Sequence, residues 1–357
     1  MNDDLPALPS PSPPFMVRDR FAISADLYPL GADYNGVAET AHFVADDRWA
    51  ACIAGKLAVL EREAGRASLH LEDDPGGLAE ALWRVAGLLA KDEPSLAEML
   101  PDGLRLPRLG LRLGVDGPGG RIEPAIVRER PDPLGERAAA WLEQRRGVAR
   151  LADAIALACQ EEIVIMRAAP GCPDVAESLQ VCFPSGWDPR DKIGTGFRAI
   201  HEPIADNARL LGASANVMKA LLTKGPYIRF SWSVTLHGGL DAHPDLPRQG
   251  PGVGGLADPA GLAARTFIRM ERQTTFPMPD LDRGLFTIRV YVDPLLERIG
   301  REPGLRQRLA RLIASTAPEV RDYKGIGELG AALLPWLETG EAAGEAAGAA
   351  GPVGTRQ

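Results

Sequence analysis

The sequence predicts an α+β protein in which an antiparallel sheet in the middle of the chain is surrounded by helices. Residues 227–236 read YIRFSWSVTL and residues 285–292 read LFTIRVYV, and in both segments every second residue is a large apolar one. A period of two is typical of strands whose two faces meet different surroundings. The regions before and after them carry apolar residues at helical spacing. Strands clustered between helical regions favour an α+β fold with a sheet of about five strands over alternating βαβ units.

The first helical region is predicted over residues 37–168. Apolar residues recur at helical spacing in four segments, residues 45–64, 77–91, 133–145 and 148–168. Residues 94–132 lie between the second and third of these segments and are rich in Gly and Pro, so we predict a loop there.

The core of the sheet is predicted within residues 175–295. The candidate strands are residues 179–183, 227–236, 264–275 and 285–292. A helix over residues 206–224 separates the first strand from the second, and the turn sequence PMPDLDRG joins the last two as a long hairpin. Residues 296–340 are predicted to be helical again.

The two ends of the chain differ in composition from the rest. Residues 1–14 are acidic and rich in proline, and residues 341–357 are a low-complexity Ala/Gly segment. Because such segments bury little apolar surface, we predict a disordered arm and a disordered tail. Residues 15–340 are then expected to form one domain.

The charge and the composition narrow the class of protein. The formal net charge is −8 and the isoelectric point about 5.3, which provides no electrostatic basis for binding nucleic acid or an anionic membrane. No long apolar run and no basic, apolar leader occur, so a cytoplasmic location is expected. The four cysteines form no CxxC pair, which argues against a zinc ribbon or a redox motif.

The common catalytic motifs are missing. The five histidines form no HExxH pair, and neither a GxSxG elbow nor a P-loop occurs. His201 remains as the candidate metal ligand, because Pro203 restricts the backbone beside it. The alternative is a histidine that caps a helix or forms a hydrogen bond in the core, as lone histidines more often do. His237 and His243 are the next candidates.

A charged segment, RMERQTT, spans residues 269–275. On a strand, Arg269, Glu271 and Gln273 project to one face, whereas Met270 and Arg272 project to the other. Glu271 is therefore either a functional carboxylate or part of a solvated cross-strand ion pair.

Three further basic residues are candidates for binding an anionic group. Lys192, Arg198 and Arg229 could each contact a propionate or a phosphate. The alternative for each is an ordinary surface charge.

Four segments together resemble a known family. They are FAISADLYPLG near the start, CFPSGWDPRDKIGTGFRAIHEPI, YIRFSWSVTL, and FIRMERQTT followed by LFTIRVYVDPL. Their order and spacing resemble those of the haem-dependent oxidative N-demethylases, which are related to the dimethylamine monooxygenase haem subunit. The resemblance extends over roughly residues 15–340.

The resemblance implies a fold, a cofactor and a reaction. Members have a PAS-like antiparallel sheet that holds haem b through an axial histidine. They use O2 and reducing equivalents to oxidise the N-methyl group of a small alkylamine such as dimethylamine, and they release formaldehyde. Electrons reach them from separate flavin and iron–sulfur reductase subunits.

The resemblance also implies roles for individual residues. His201 matches the axial histidine. Glu271 matches a carboxylate that would hold an alkylammonium substrate or accept its proton. Three matched residues are candidate cofactor contacts: Lys192, Trp232 and Arg272. Arg229 is a further candidate on its charge alone. Of these, Lys192 and Arg272 would meet haem propionates, and Trp232 would pack against the haem or the core.

Some positions depart from the family pattern. Ser231 stands where the family has Asn, residues 273–279 read QTTFPMP, and residues 241–259 form a long Gly- and Pro-rich segment. These positions border the predicted pocket, so they bear on which amine is bound. A haem-based gas sensor or haem-binding module without turnover is the alternative function, because fold does not determine function. A haem-free structural partner is a third reading.

Overall fold

The computed structural model describes residues 5–10, 27–34, 37–116, 119–169, 171–204, 207–246, 258–324 and 326–340. The strands are β1 (Tyr28–Pro29), β2 (Asp33–Tyr34), β3 (Val37–Ala38), β4 (Ser68–His70), β5 (Glu98–Leu100), β6 (Gly103–Leu106), β7 (Leu111–Gly114), β8 (Ala125–Arg128), β9 (Glu162–Arg167), β10 (Val175–Gln180), β11 (Tyr227–Thr235), β12 (Phe267–Met278) and β13 (Arg283–Pro294). The helices are α1 (Trp49–Ala67), α2 (Pro75–Asp92), α3 (Pro133–Gln144), α4 (Gly147–Ala158), α5 (Phe197–His201), α6 (Ala208–Gly212), α7 (Ser214–Thr223), α8 (Pro259–Arg265), α9 (Leu295–Arg301), α10 (Leu305–Ser315), α11 (Pro318–Tyr323) and α12 (Gly327–Thr339).

A seven-stranded antiparallel sheet forms the centre of the molecule, in the order β1-β11-β12-β13-β9-β10-β4. The prediction of an antiparallel sheet in an α+β fold is confirmed. The five long strands are β9 to β13, and short strands at both edges raise the number above the predicted five. Numbered along the chain, the long strands lie across the sheet in the order second, first, fifth, fourth, third. The predicted hairpin is β12–β13, which pairs over its whole length.

The two faces of this sheet pack against different helices. We call the face that carries Glu271 the site face; there Val164 and Phe286 pack with apolar residues of α5 and α7. The opposite face carries Met270 and packs against α8, α10 and α12 next to β12. Next to β9, the opposite face packs against α1, α2 and α4. Strand alternation therefore separates the two sets of side chains of RMERQTT, as predicted.

The first half of the chain contains more strand than its sequence predicts. Residues 94–132, predicted to be a loop, contain the four-stranded antiparallel sheet β5-β6-β7-β8, whose leucines at positions 104, 106, 111 and 113 are buried. Residues 148–168, predicted to be one helix, contain α4 and then β9. Both predictions were wrong, because very short strands between Gly and Pro turns resemble loops and an apolar strand resembles a buried helix.

The predicted helices at the C-terminal end are confirmed as α9 to α12, and the helix predicted over 206–224 corresponds to α6 and α7. The described part of the predicted arm, residues 5–10, lies against the fold: Pro9 O accepts from Asp47 N at 2.8 Å, and Leu8 packs on the core. The rest of the arm and the tail at 341–357 lie outside the described residues. Among the described helices, none is long and apolar enough to cross a membrane.

Candidate functional site

The segment that carries His201 is tied to the start of β10. Phe197 N, at the start of α5, donates to Asp174 Oδ2 at 2.5 Å, and Gly194 N donates to Ala176 O at 2.9 Å. Gly194 has a φ of 73°, in the left-handed region that glycine adopts without strain. These contacts fix the position of α5 over the site face, so that its last residue, His201, has a defined place.

The His201 imidazole is held in one tautomer. Its Nδ1 lies 2.7 Å from Phe197 O, and its ring stacks on that of Phe197 with centroids 4.0 Å apart. A carbonyl oxygen only accepts, so Nδ1 carries the proton and Nε2 carries the lone pair. Burial lowers the pKa of His201, which favours the neutral ring. A neutral imidazole with a fixed Nδ1–H is the form in which histidine ligates a metal.

Two cationic side chains lie near this imidazole. Lys192, at the end of the short helix Pro189–Asp191, donates to Ile200 O at 3.4 Å, and Arg229 projects from β11. Besides burial, the positive charges of Arg229 and Lys192 lower the pKa of His201, whereas its hydrogen bond to Phe197 O raises it. The surroundings of His201 are therefore positive, which suits an anionic group beside it. Arg198 is exposed and donates instead to Leu211 O of α6.

Glu271 lies on β12, opposite Ser231 of β11 and Val290 of β13. Its Oε1 accepts a hydrogen bond from Ser185 Oγ, and its Oε2 accepts one from Gln273 Nε2 at 2.6 Å. The side chain is half-buried, whereas the neighbouring Arg269 is 4 % exposed. The interpretation of this segment as a solvated ion pair is therefore wrong.

The strand register relates the two groups. On the site face, Arg229 is opposite Gln273, and two residues further along β11 Ser231 is opposite Glu271. The central residues of β11 are only half-buried. The structure thus brings His201, Lys192, Arg229 and Glu271 to one partly open face of the sheet.

A further basic residue near Glu271 was not predicted. Lys324 follows α11 and donates from Nζ to Trp232 O at 2.7 Å, with Nζ 5.5 Å from the centroid of the Trp232 ring. Burial lowers the pKa of Lys324 to about 8, Glu271 raises it and Arg229 lowers it. The pKa of Tyr323 is raised by burial and also by Glu271. Nothing in the sequence of this helical region marks these residues.

Two of the predicted cofactor contacts lie on the opposite face. The half-buried Trp232 packs against the core that the C-terminal helices form there. Of its two predicted roles, packing against the haem or against the core, this is the second. Arg272 is 1 % exposed. It donates to Glu39 Oε2 at 2.8 Å and to the carbonyl oxygens of Ala41 and His42. The prediction that Arg272 meets a haem propionate therefore needs correction: the arginine ties residues 39–42 to the sheet.

Replacement of Arg272 by Ala is expected to destabilise the fold without changing the site. Truncation leaves Glu39 and two carbonyl groups without their donor, and loss of one partner of a buried ion pair costs about 3–5 kcal/mol. Urea denaturation should show this decrease in the free energy of unfolding. Cofactor content per folded molecule should remain that of the parent protein, and a selective loss of cofactor would return Arg272 to the site.

The other candidate histidines are engaged elsewhere. His237 Nε2 lies 2.8 Å from Asp241 O. His243 Nδ1 accepts from Asp245 N at 3.1 Å, so its proton is on Nε2, which lies 3.4 Å from Asp188 Oδ1. Among the described residues, Asp188, His243 and Asp245 are the His and acidic side chains that lie close enough together to hold a metal ion. Arg190 forms ion pairs with Asp188 and with Asp245, so these side chains form an ion-pair cluster.

A family model matches more than half of this chain. A family model described as haem-dependent oxidative N-demethylase, alpha subunit-like, matches residues 135–334, which is 200 of the 357 residues. The matched stretch includes all five long strands of the central sheet and every residue of the site described above.

Proposed function

This chain belongs to the haem-dependent oxidative N-demethylase alpha subunit-like family, and on that premise we propose that it binds haem b through His201 and oxidatively demethylates a small alkylamine such as dimethylamine. The observation that carries the proposal is that a histidine with its Nε2 lone pair fixed and a carboxylate held by two donors lie on the same sheet face. Formaldehyde and the demethylated amine are the expected products.

The residues present fit a haem. The Nδ1–H of His201 is committed to Phe197 O, so Nε2 is the atom offered to iron. Lys192 and Arg229 supply positive charge beside it, which suits the two propionates. The half-buried residues of β11 leave part of the site face uncovered by described side chains. We propose His201, Lys192 and Arg229 as the haem contacts, and we exclude Arg272.

When bound, haem iron supplies the O2 and electron-transfer chemistry of the reaction. The protein residues bind and orient the amine. A protonated alkylamine is a small cation, and Glu271 is a carboxylate in a half-buried place, where an opposite charge is favoured. Hydrogen bonds from Ser185 and Gln273 fix the carboxylate, so a bound dimethylammonium would direct an N–H to Glu271 and its methyl groups away from it.

Reductase partners and the PAS-like architecture are part of the proposal. The matching family is described as alpha subunit-like, and a haem enzyme that uses O2 needs an electron supply, so we propose separate flavin and iron–sulfur reductase subunits. The order of the five long strands, and the helices α5 to α7 between the second and third of them, support a PAS-like sheet.

A haem-binding sensor is the second candidate function. It would use the same His201 but would not require a fixed carboxylate on the same face. The two hydrogen bonds at Glu271 therefore favour the enzyme.

The proposal is tested with protein produced under haem supply. We expect a Soret band, a spectral shift on addition of dimethylamine, and formaldehyde release when O2 and a chemical reductant are added. Ligand binding without formaldehyde would favour the sensor. A pure, folded protein without a Soret band would exclude the haem function.

A further inference from the structure

We propose that Ser185 and Arg269 form a positioning relay that holds Glu271 as an anionic anchor, so that the site selects the protonated form of its amine. The proposal rests on the proposed function, which makes the ligand an amine. It adds two positioning residues, Ser185 and Arg269, and the charge state in which the amine is recognised.

The hydrogen bonds of the relay run from Arg269 through Ser185 to Glu271. Arg269 Nε donates to Ser185 Oγ at 2.8 Å, and a guanidinium has no acceptor atom. The Ser185 hydroxyl therefore accepts from Arg269, and it donates its single proton to Glu271 Oε1. This donor fixes the orientation of the Glu271 carboxylate.

The parts of the relay are themselves fixed. Arg269 is 4 % exposed, and its Nη2 donates to Phe183 O at 3.0 Å. Ser185 forms a β-bridge with Ala242, and Gly186 N donates to Ala242 O at 3.0 Å. The serine hydroxyl is thus held on both sides before any ligand arrives, which is the preorganisation that a binding group requires.

The other oxygen completes the arrangement. Glu271 Oε2 accepts from Gln273, so among the described residues both donors that fix the carboxylate, Ser185 and Gln273, are neutral. A hydrogen bond from a neutral hydroxyl orients a carboxylate while leaving its charge available for a cation. The charged and titratable groups around it are Arg269 of β12, Arg229 of β11, and Tyr323 and Lys324 at the end of α11.

The test compares Ser185→Ala with Ser185→Thr, which restores a hydroxyl. Binding of dimethylamine, a cation at pH 7, and of a neutral N-methyl amide is measured by calorimetry at pH 7 with haem-loaded protein. In Ser185→Ala we expect the affinity for dimethylamine to fall about tenfold while the affinity for the neutral amide stays unchanged. Ser185→Thr should restore the affinity for dimethylamine towards the parent value.

The matched control is Ser233→Ala, the same change at a serine of β11 that lies opposite Arg269 on the site face. It should leave the affinity for dimethylamine unchanged. The effect of Ser185→Ala should also disappear in a Glu271→Gln background, because the relay acts only through that carboxylate. If the parent protein binds no amine, the proposed function fails and the relay with it. If the parent binds dimethylamine and Ser185→Ala keeps the parent affinity, the relay alone is overturned.

Discussion

Replacement of His201 by Ala is expected to yield a folded protein whose haem content is at least about tenfold lower than that of the parent. The reason is local: His201 is the described histidine on the site face whose Nδ1 proton is directed to a carbonyl, which leaves Nε2 to bind iron. Haem per polypeptide is measured from the Soret absorbance, and circular dichroism reports the fold. Because no residue of α5 is fully buried, loss of the His201 side chain should not unfold the protein.

The matched control for His201 is His237→Ala, which removes an imidazole whose Nε2 already contacts Asp241 O. Its haem content should equal that of the parent. Added imidazole should partly restore the haem content of His201→Ala, since it replaces the missing ligand. Retention of full haem by His201→Ala would place the ligand elsewhere.

Part of the fold could be predicted because some strands have unlike surroundings on their two faces. β11 and β13 alternate clearly, and both were predicted within a few residues. β9 reads EIVIMR and is buried on both faces, so no alternation distinguishes it from a helix. The strands β5 to β8 are three or four residues long, which is too short for any periodicity to appear.

The site shows the same division. His201 and Glu271 lie in motifs, and the alternation of β12 assigns Glu271 to the face that α5 covers. The same alternation assigns Arg272 to the other face. The motif by itself does not distinguish an arginine that ties residues 39–42 to the sheet from one that contacts a cofactor. Ser185 binds Glu271 across the chain, and Glu271 raises the pKa of the distant Lys324, and only the folded structure reveals both relations.

Replacement of Glu271 by Gln is expected to lower kcat/KM for dimethylamine by about 100-fold, with haem content unchanged. The amide has nearly the volume of the carboxylate but no charge, so an alkylammonium entering the site would lose its counter-ion. The substitution should be accommodated structurally. Gln273 Oε1 is buried without a hydrogen-bond partner among the described residues, so rotation of that amide would present an acceptor to the new NH2 group.

Two comparisons separate loss of charge at Glu271 from general damage. Glu297→Gln makes the same change on the exposed surface of α9 and should retain full activity. A neutral N-methyl amide, which carries no ammonium, should bind the parent and Glu271→Gln equally weakly. If Glu271→Gln bound and demethylated dimethylamine like the parent, the carboxylate would have no part in recognition. If affinity fell while the rate at saturating amine was kept, Glu271 would act in binding alone, because a group that acts only in the transition state lowers kcat as well.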